Sequence, residues 1–251
     1  MSPSLPPEIL DLIVDNLEDE PDALKSCCRV SKSWVPRTRK HLFARVGFGW
    51  TGATIESWMK AYPDPSDSPA HYARSLWVFR LEAVSASVCA CILSFCRIEE
   101  LFLNAFRWGG PGGVSLAQLN GLSPNLKALR LVQASTPVAE TLDLICSFPL
   151  LNDLWLEFWT LDDNVDRWIP PATSPKLRGS LWLSGATRSI ARGLSNFPDG
   201  LNFSKVSVSD EVEDTDPHTV TNLLSKCSDT VESFYVSYFP MGVFLPVPFV
   251  D

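Results

Sequence analysis

The clearest feature of the chain is a short alternation of apolar and variable positions that returns at regular intervals. It has the form L-x-x-L-x-L and is best preserved at residues 126–131 and 151–156. Its fourth position recurs every 25 to 28 residues, at Leu76, Leu101, Leu129, Leu154, Leu181, Val206 and Phe234. Alternation with a period of two predicts β-strands, and a repeat of this length predicts one strand per unit. We therefore expect about seven parallel strands.

The segments between these strands carry helix signals. Two of them open on a polar residue followed by proline, Thr136-Pro137 and Asp216-Pro217, and continue with apolar residues at helical spacing. Strands alternating with helices in units of this length indicate an α/β fold that resembles a degenerate leucine-rich-repeat solenoid. One unit has an extra residue between Leu177 and Leu181, which predicts a β-bulge there.

The residues before the repeats follow a helical period instead. Pro6 and Pro7 can open a helix, and Ile9, Leu10 and Ile13 then share one apolar face. Two further short helices are expected before residue 46, followed by a helix that begins after Thr54. The chain is thus predicted to divide into a three-helix unit, a helix with a linker, and the repeat region, over residues 1–46, 47–72 and 73–251.

Composition and net charge disfavour some classes of binding partner. The chain has 251 residues, 45% of them hydrophobic, and a net charge of -8. This size permits a sizeable core, and the excess of acids disfavours non-specific binding to nucleic acid. We find neither an apolar run long enough to span a membrane nor the features of a signal peptide, so the expected location is cytoplasmic and/or nuclear.

Motifs that carry enzyme or metal chemistry are missing from the sequence. The seven cysteines are expected to be reduced thiols, and the densest group, Cys89, Cys91 and Cys96, lacks the spacing of a metal site. The three histidines form no pattern with a nucleophile. The glycine-rich segment 107–113 is not followed by Gly-Lys-Ser/Thr, so it does not predict a phosphate loop. We expect no enzyme, cofactor or metal.

Strand alternation predicts a binding face. If the leucines of each L-x-L point into the core, the residue between them points to the opposite face. These residues form what we call the central row: Trp77, Phe102, Arg130, Trp155, Trp182, Ser207 and Tyr235. Five of the seven are aromatic, which favours a protein-binding surface built from every member except Ser207. Alternatively, segment 107–113 or the apolar C-terminal tail folds over the row and buries part of it.

The N-terminal unit resembles an F-box. The residues that carry the resemblance are Leu5-Pro6-Pro7-Glu8-Ile9-Leu10, then Ile13, Leu17 and Leu24, then Val30-Ser31-Lys32-Ser33-Trp34. The resemblance implies docking onto a Skp-type adaptor, and through it a cullin, by Leu5, Pro6, Ile9 and Leu10 of the first helix and Leu24 of the second. The acidic stretch 18–22 departs from the family pattern. Alternatively, the helices are an ordinary cap on a larger domain.

Together the two regions suggest a receptor. The chain resembles fungal F-box proteins with weak leucine-rich repeats, which implies a substrate-recognition subunit of an SCF-type cullin-RING ubiquitin ligase that has no active site of its own. The repeat region would then bind an unidentified protein substrate, with neither nucleic acid nor a membrane as partner. The alternative is an interaction scaffold outside any ligase, in which the helices only cap the first repeat.

Overall fold

Parallel strands form one sheet in a computed structural model of the chain. The structure describes residues 6–49, 54–79, 85–104, 116–160, 168–172, 174–185, 187–198, 200–210 and 217–238. Within these ranges the sheet has eight strands in sequence order. They are β1 (Arg45–Phe48), β2 (Ser75–Phe79), β3 (Glu100–Asn104), β4 (Ala128–Ser135), β5 (Asp153–Thr160), β6 (Ser180–Ser184), β7 (Lys205–Asp210) and β8 (Ser233–Tyr238). Every neighbouring pair is parallel, which confirms the α/β class and is consistent with a repeat solenoid.

Helices precede the sheet and connect several of its strands. In the described part of the chain they are α1 (Pro7–Asp15), α2 (Pro21–Val30), α3 (Val35–Leu42), α4 (Ile55–Ala61), α5 (Ala86–Leu93), α6 (Val138–Cys146), α7 (Thr187–Ser195) and α8 (Pro217–Lys226). The helix expected after Thr54 is confirmed, and Thr54 and Ser57 form a capping box that satisfies the first backbone N–H groups of α4.

The register follows the leucine pattern. Leu101 pairs with Leu129, and Leu154 pairs with Leu181, so the fourth position of the motif occupies one line across the sheet. The core-facing residues of β2 to β7 on this line are almost completely buried. Apolar side chains from α5, α6 and α7 pack against them, which explains why both the strand and the return segment of each unit are apolar on one face.

A repeated hydrogen-bonding arrangement sets the start of most strands. The carbonyl oxygen of Arg74 accepts the backbone N–H groups of Glu99 and Glu100, at 2.7 and 3.0 Å. The same doubled acceptance occurs at six of the seven junctions between neighbouring strands, with Ala44, Arg74, Glu99, Lys127, Gly179 and Ser204 as acceptors. Each repeat therefore positions the first residue of the next.

The sheet differs from the sequence expectations in its number of strands and at the junction before β6. The sheet has one strand more than the seven expected, because β1 was missed: Arg-Val-Gly-Phe lacks the leucines of the motif and contains a glycine. The bulge expected between Leu177 and Leu181 is absent, since β5 and β6 pair in continuous register. At this junction the Asn152 carbonyl accepts only the Gly179 N–H, at 3.1 Å, and the Asp153 carboxylate receives the backbone N–H and the hydroxyl of Ser180, at 2.8 and 2.6 Å. The irregular register lies between β4 and β5.

The three N-terminal helices pack on one another beside the first strand. Val14 and Leu24 are buried between them, and Asp15 of α1 binds Arg37 and His41 of α3. The unit continues into the sheet without a break, because Ala44, two residues after α3, supplies the doubled acceptor for β2.

Candidate functional site

The structure aligns the central row. Residue pairing places Trp77, Phe102, Arg130, Trp155, Trp182, Ser207 and Tyr235 side by side on β2 to β8. The extra residue before β6 does not displace Trp182, which pairs directly with Trp155. The row therefore contains all six residues that the sequence predicts as a substrate-binding surface.

The middle of the row is a stacked pair of indoles. The rings of Trp155 and Trp182 have centroids 4.5 Å apart and planes 15° from parallel. The guanidinium carbon of Arg130 lies 5.9 Å from the centroid of Trp155, within the range of a cation–π contact. The Nε1 atoms of both tryptophans are shielded from solvent and have no hydrogen-bond acceptor among the described residues. Such buried donors are costly, so the stack must be held by its ring contacts.

One end of the row is packed within the chain. Phe102 is only 9% exposed, and its ring centroid lies 5.2 Å from Trp77 and 5.0 Å from Phe79. The Trp77 indole donates to the Ser75 hydroxyl at 2.7 Å. Phe79 was not predicted as part of this face, although its position two residues after Trp77 on the same strand would have indicated it. These contacts leave less of β2 and β3 available to a partner.

The other end of the row is open. Tyr235 is 64% exposed. Its neighbours Phe234 and Val236 on β8 are 40% and 45% exposed, whereas the residues equivalent to these two neighbours on the preceding strands are buried. Segment 107–113 and the C-terminal tail 239–251, which were predicted as alternative covers for the row, lie outside the described residues. The most accessible part of the row thus lies toward β8.

Charged side chains on the same face differ in whether another residue binds them. Asp153 is bound by Ser180. Burial raises the pKa of Glu157. The nearby Trp155 indole partly opposes this increase, although its N–H does not form a well-aligned hydrogen bond. In contrast, Arg130 and Lys205 form no ion pair with any described residue. Arg130 and Lys205 are therefore cations without an ion-pair partner among the described residues, on a face that also carries the carboxyl groups of Asp153 and Glu157.

The predicted adaptor residues fall into two environments. Pro6 and Ile9 are exposed and Leu10 is half-buried, whereas Leu24 is 1% exposed inside the helical unit. Leu5 lies outside the described residues. In this conformation the side chain of Leu24 is not at the surface, so its predicted contact with the adaptor stays untested.

Helix α1 exposes an apolar surface that the sequence defined only in part. Ile9, Leu12 and Ile13 are 43%, 57% and 39% exposed, and we call them the α1 strip. Their i, i+3, i+4 spacing places them on one side of the helix. Leu12 was missed as a binding residue because the apolar face predicted for this helix consists of Ile9, Leu10, Ile13 and Leu17.

Four of the seven cysteines are buried, and Cys96 is exposed. Burial raises the pKa of the Cys91 thiol to about 11, assisted by the charge of Glu56, and that of Cys146 to about 12. Both thiols are therefore protonated at neutral pH and poor nucleophiles or metal ligands. Within the described ranges, no cluster of three or more His, Cys, Asp or Glu is placed to bind a metal ion. None of the helices in those ranges is both long and apolar enough to cross a bilayer.

No protein-family model matches the chain, and no curated protein matches it either. Its function must be inferred from the two surfaces described above, the α1 strip and the central row.

Proposed function

We propose that the protein is a substrate-recognition subunit of an SCF-type cullin-RING ubiquitin ligase. Helices α1 to α3 form the F-box that binds a Skp-type adaptor, and the central row binds the protein that is to be ubiquitylated. The observation that carries the proposal is the exposed α1 strip, which lies within the F-box-like sequence around Pro6, Ile9 and Leu10.

The α1 strip supports this role on energetic grounds. Complete burial of one Leu or Ile side chain contributes about 1.5 to 3 kcal/mol, so covering three partly exposed ones favours association. The helices themselves need no help from these residues, since Val14 and Leu24 supply their internal packing and Asp15 connects α1 to α3. The strip is therefore free to serve a partner.

The central row supports the receptor half of the proposal. Trp, Tyr and Arg are the residue types most enriched at binding hot spots, and all three occur between β4 and β8. Stacking holds Trp155 and Trp182 in one arrangement before any partner arrives, which reduces the entropy lost on binding.

The adaptor half can be tested by co-purification. We expect the full chain to bind a Skp-type adaptor and the double variant Ile9→Asp, Ile13→Asp to lose that binding, because two carboxylates would be buried without partners. Leu150→Asp is the control: it places one carboxylate on an exposed leucine of the loop after α6 and should bind normally. Far-UV circular dichroism must show that all three proteins are folded. Adaptor binding by the folded double variant, or none by the wild type, would refute the assignment.

A scaffold outside any ligase is the second candidate. It is favoured by the direct continuation of α3 into the sheet, where Ala44 accepts the N–H groups of Arg74 and Ser75 at 2.8 and 3.0 Å. As a pure cap, the helical unit would protect β1 and bind no adaptor. Loss of β1 protection in hydrogen exchange after deletion of residues 1–42, without adaptor binding by the intact chain, would favour this candidate.

A further inference from the structure

Toward the open end of the row, a small residue lies between two aromatic ones. Trp182 on β6 pairs with Ser207 on β7, which pairs with Tyr235 on β8, and we call these three residues the ring notch. Neighbouring strands lie about 4.8 Å apart, so the outer two residues start about 10 Å from each other. A flat ring needs about 3.5 to 4 Å on each side. The notch is wide enough for one ring, with Ser207 as its floor.

The notch is accessible and has one preorganised wall. Ser207 is half-buried and Tyr235 is exposed, so the space between them reaches the surface. Trp182 stacks on Trp155, which lies on the β5 side, and its opposite ring face is therefore directed toward β7. A wall already held by stacking loses little side-chain entropy when a ligand binds.

A positive charge lies beside the notch. Lys205 precedes Ser207 by two residues on β7, so both side chains are on the same face, about 7 Å apart along the strand. Lys205 is exposed and has no ion-pair partner among the described residues. The Asp153 carboxylate lies two strands away on β5, about 10 Å from Lys205 at the backbone, and is held there by the N–H and hydroxyl of Ser180. The charge favours a ligand with a carboxylate.

We propose that the ring notch binds an aromatic side chain of an extended peptide segment and that Lys205 pairs with a carboxylate two residues away from it. The spacing follows from geometry, since same-side residues of an extended chain are also about 7 Å apart. The class of substrate is a protein segment in which an aromatic residue has Asp or Glu at position i±2. Calling this segment a substrate rests on the proposed function. Binding at the notch does not require the adaptor.

Fluorescence anisotropy with the full chain tests which residues of the peptide are needed for binding. The probe is the fluorescein-labelled peptide Gly-Ser-Glu-Ser-Phe-Ser-Glu-Ser-Gly. We expect saturable binding that weakens about tenfold when Phe is replaced by Ala, because the ring is the buried anchor. Replacing both Glu by Gln should weaken it about threefold, the effect of an exposed ion pair. No binding at about 1 mM peptide, or equal binding of all three peptides, would overturn the proposal.

Variants of the protein test the site. Ser207→Leu fills the notch and should weaken peptide binding about tenfold, and Tyr235→Ala, which removes an exposed wall and leaves the core intact, should have a similar effect. Lys205→Gln should weaken binding about threefold, whereas the control Lys226→Gln, at the end of α8, should not. Normal binding by folded Ser207→Leu and Tyr235→Ala would refute the site. The variant Ile9→Asp, Ile13→Asp should bind the peptide normally, so failure of the ligase proposal and failure of the notch are distinguishable.

Discussion

Asp15 and Arg37 connect the first helix to the third across 22 residues of sequence. Both carboxylate oxygens of Asp15 accept hydrogen bonds from the Arg37 guanidinium, and His41 Nε2 lies 2.7 Å from Oδ1. The hydrogen bond from Arg37, with a smaller contribution from His41, holds the pKa of Asp15 well below its usual range. The orientation of α1, and with it the α1 strip, depends on this contact.

Replacing Asp15 by Asn should lower the stability of the helical unit by about 1 kcal/mol at pH 7, the typical effect of a partly exposed, charge-assisted pair. A carboxyl group with a lowered pKa contributes stability above its unfolded-state pKa of about 4 and loses it as pH falls through the folded-state value. The difference between wild type and variant should thus be present at pH 7 and 5 and shrink below pH 4. Urea unfolding at pH 7, 5 and 3 measures it, and a constant difference at pH 3 would contradict the expectation.

Leu24→Ala should destabilise the helical unit by about 2 to 4 kcal/mol, because Leu24 is buried between the helices and truncation leaves a cavity. Amide hydrogen exchange of α1 to α3 should accelerate while that of β4 to β7 is unchanged. Unchanged exchange together with weaker adaptor binding would instead place Leu24 at the interface, as the family resemblance predicts.

Trp182 offers a test of the stacked pair. Trp182→Ala removes a half-buried ring and should lower the free energy of unfolding by about 2 kcal/mol. Trp182→Phe keeps a ring against Trp155 and deletes a buried N–H without an acceptor, so it should cost about 1 kcal/mol or less. Urea unfolding followed by circular dichroism compares them. Equal destabilisation by both substitutions would mean that the indole N–H is satisfied in solution.

Gly49 and Gly47 form a matched pair at β1. Gly49 has φ of +83°, and a Cβ there would lie 2.5 Å from the Phe79 carbonyl oxygen, so Gly49→Ala should cost more than about 2 kcal/mol. A Cβ at Gly47 meets nothing within 4 Å, and Gly47→Ala should change stability by less than about 1 kcal/mol. Thermal unfolding distinguishes them. Similar effects of the two substitutions would show that β1 is not held against β2 as described.

Asp153 is expected to stabilise the junction between β5 and β6. Asp153→Ala leaves the N–H of Ser180 without its acceptor and should cost about 1.5 to 3 kcal/mol, as for other hydrogen bonds to charged groups. Asp67→Ala, in an exposed turn, is the control and should be nearly neutral. Chemical denaturation measures both, and a neutral Asp153→Ala would show that water replaces the carboxylate.

The alignment of neighbouring strands could be predicted where the motif is intact, because a period of two and a spacing of 25 to 28 residues are local properties of the sequence. At β6 the same reasoning predicted a bulge from the extra residue, and the pairing of β5 with β6 shows none. The accommodation of the extra residue depends on Asp153, 27 positions before Ser180, and such long-range capping leaves no local signal.

Membership of the central row was likewise predictable, since it follows from alternation alone. The differences in solvent exposure along the row could not be predicted in this way. Phe102 is buried because Phe79 and Trp77 pack against it. Tyr235 is exposed because it lies on β8, the last described strand. The missed exposure of Leu12 has the same origin, since the orientation of α1 is set by Asp15 and Arg37, which lie on different helices.

The doubled carbonyl acceptor at six of the seven strand junctions bears on how such a protein can evolve. Because the acceptor is a backbone atom, its geometry is independent of side-chain identity, and the leucine pattern can degenerate without loss of strand alignment. Duplication or deletion of one whole unit would recreate the same donor and acceptor groups at the new junction. The sheet can therefore lengthen or shorten by entire rungs, and selection can vary the width of its aromatic face while the helices at its N-terminal end stay the same.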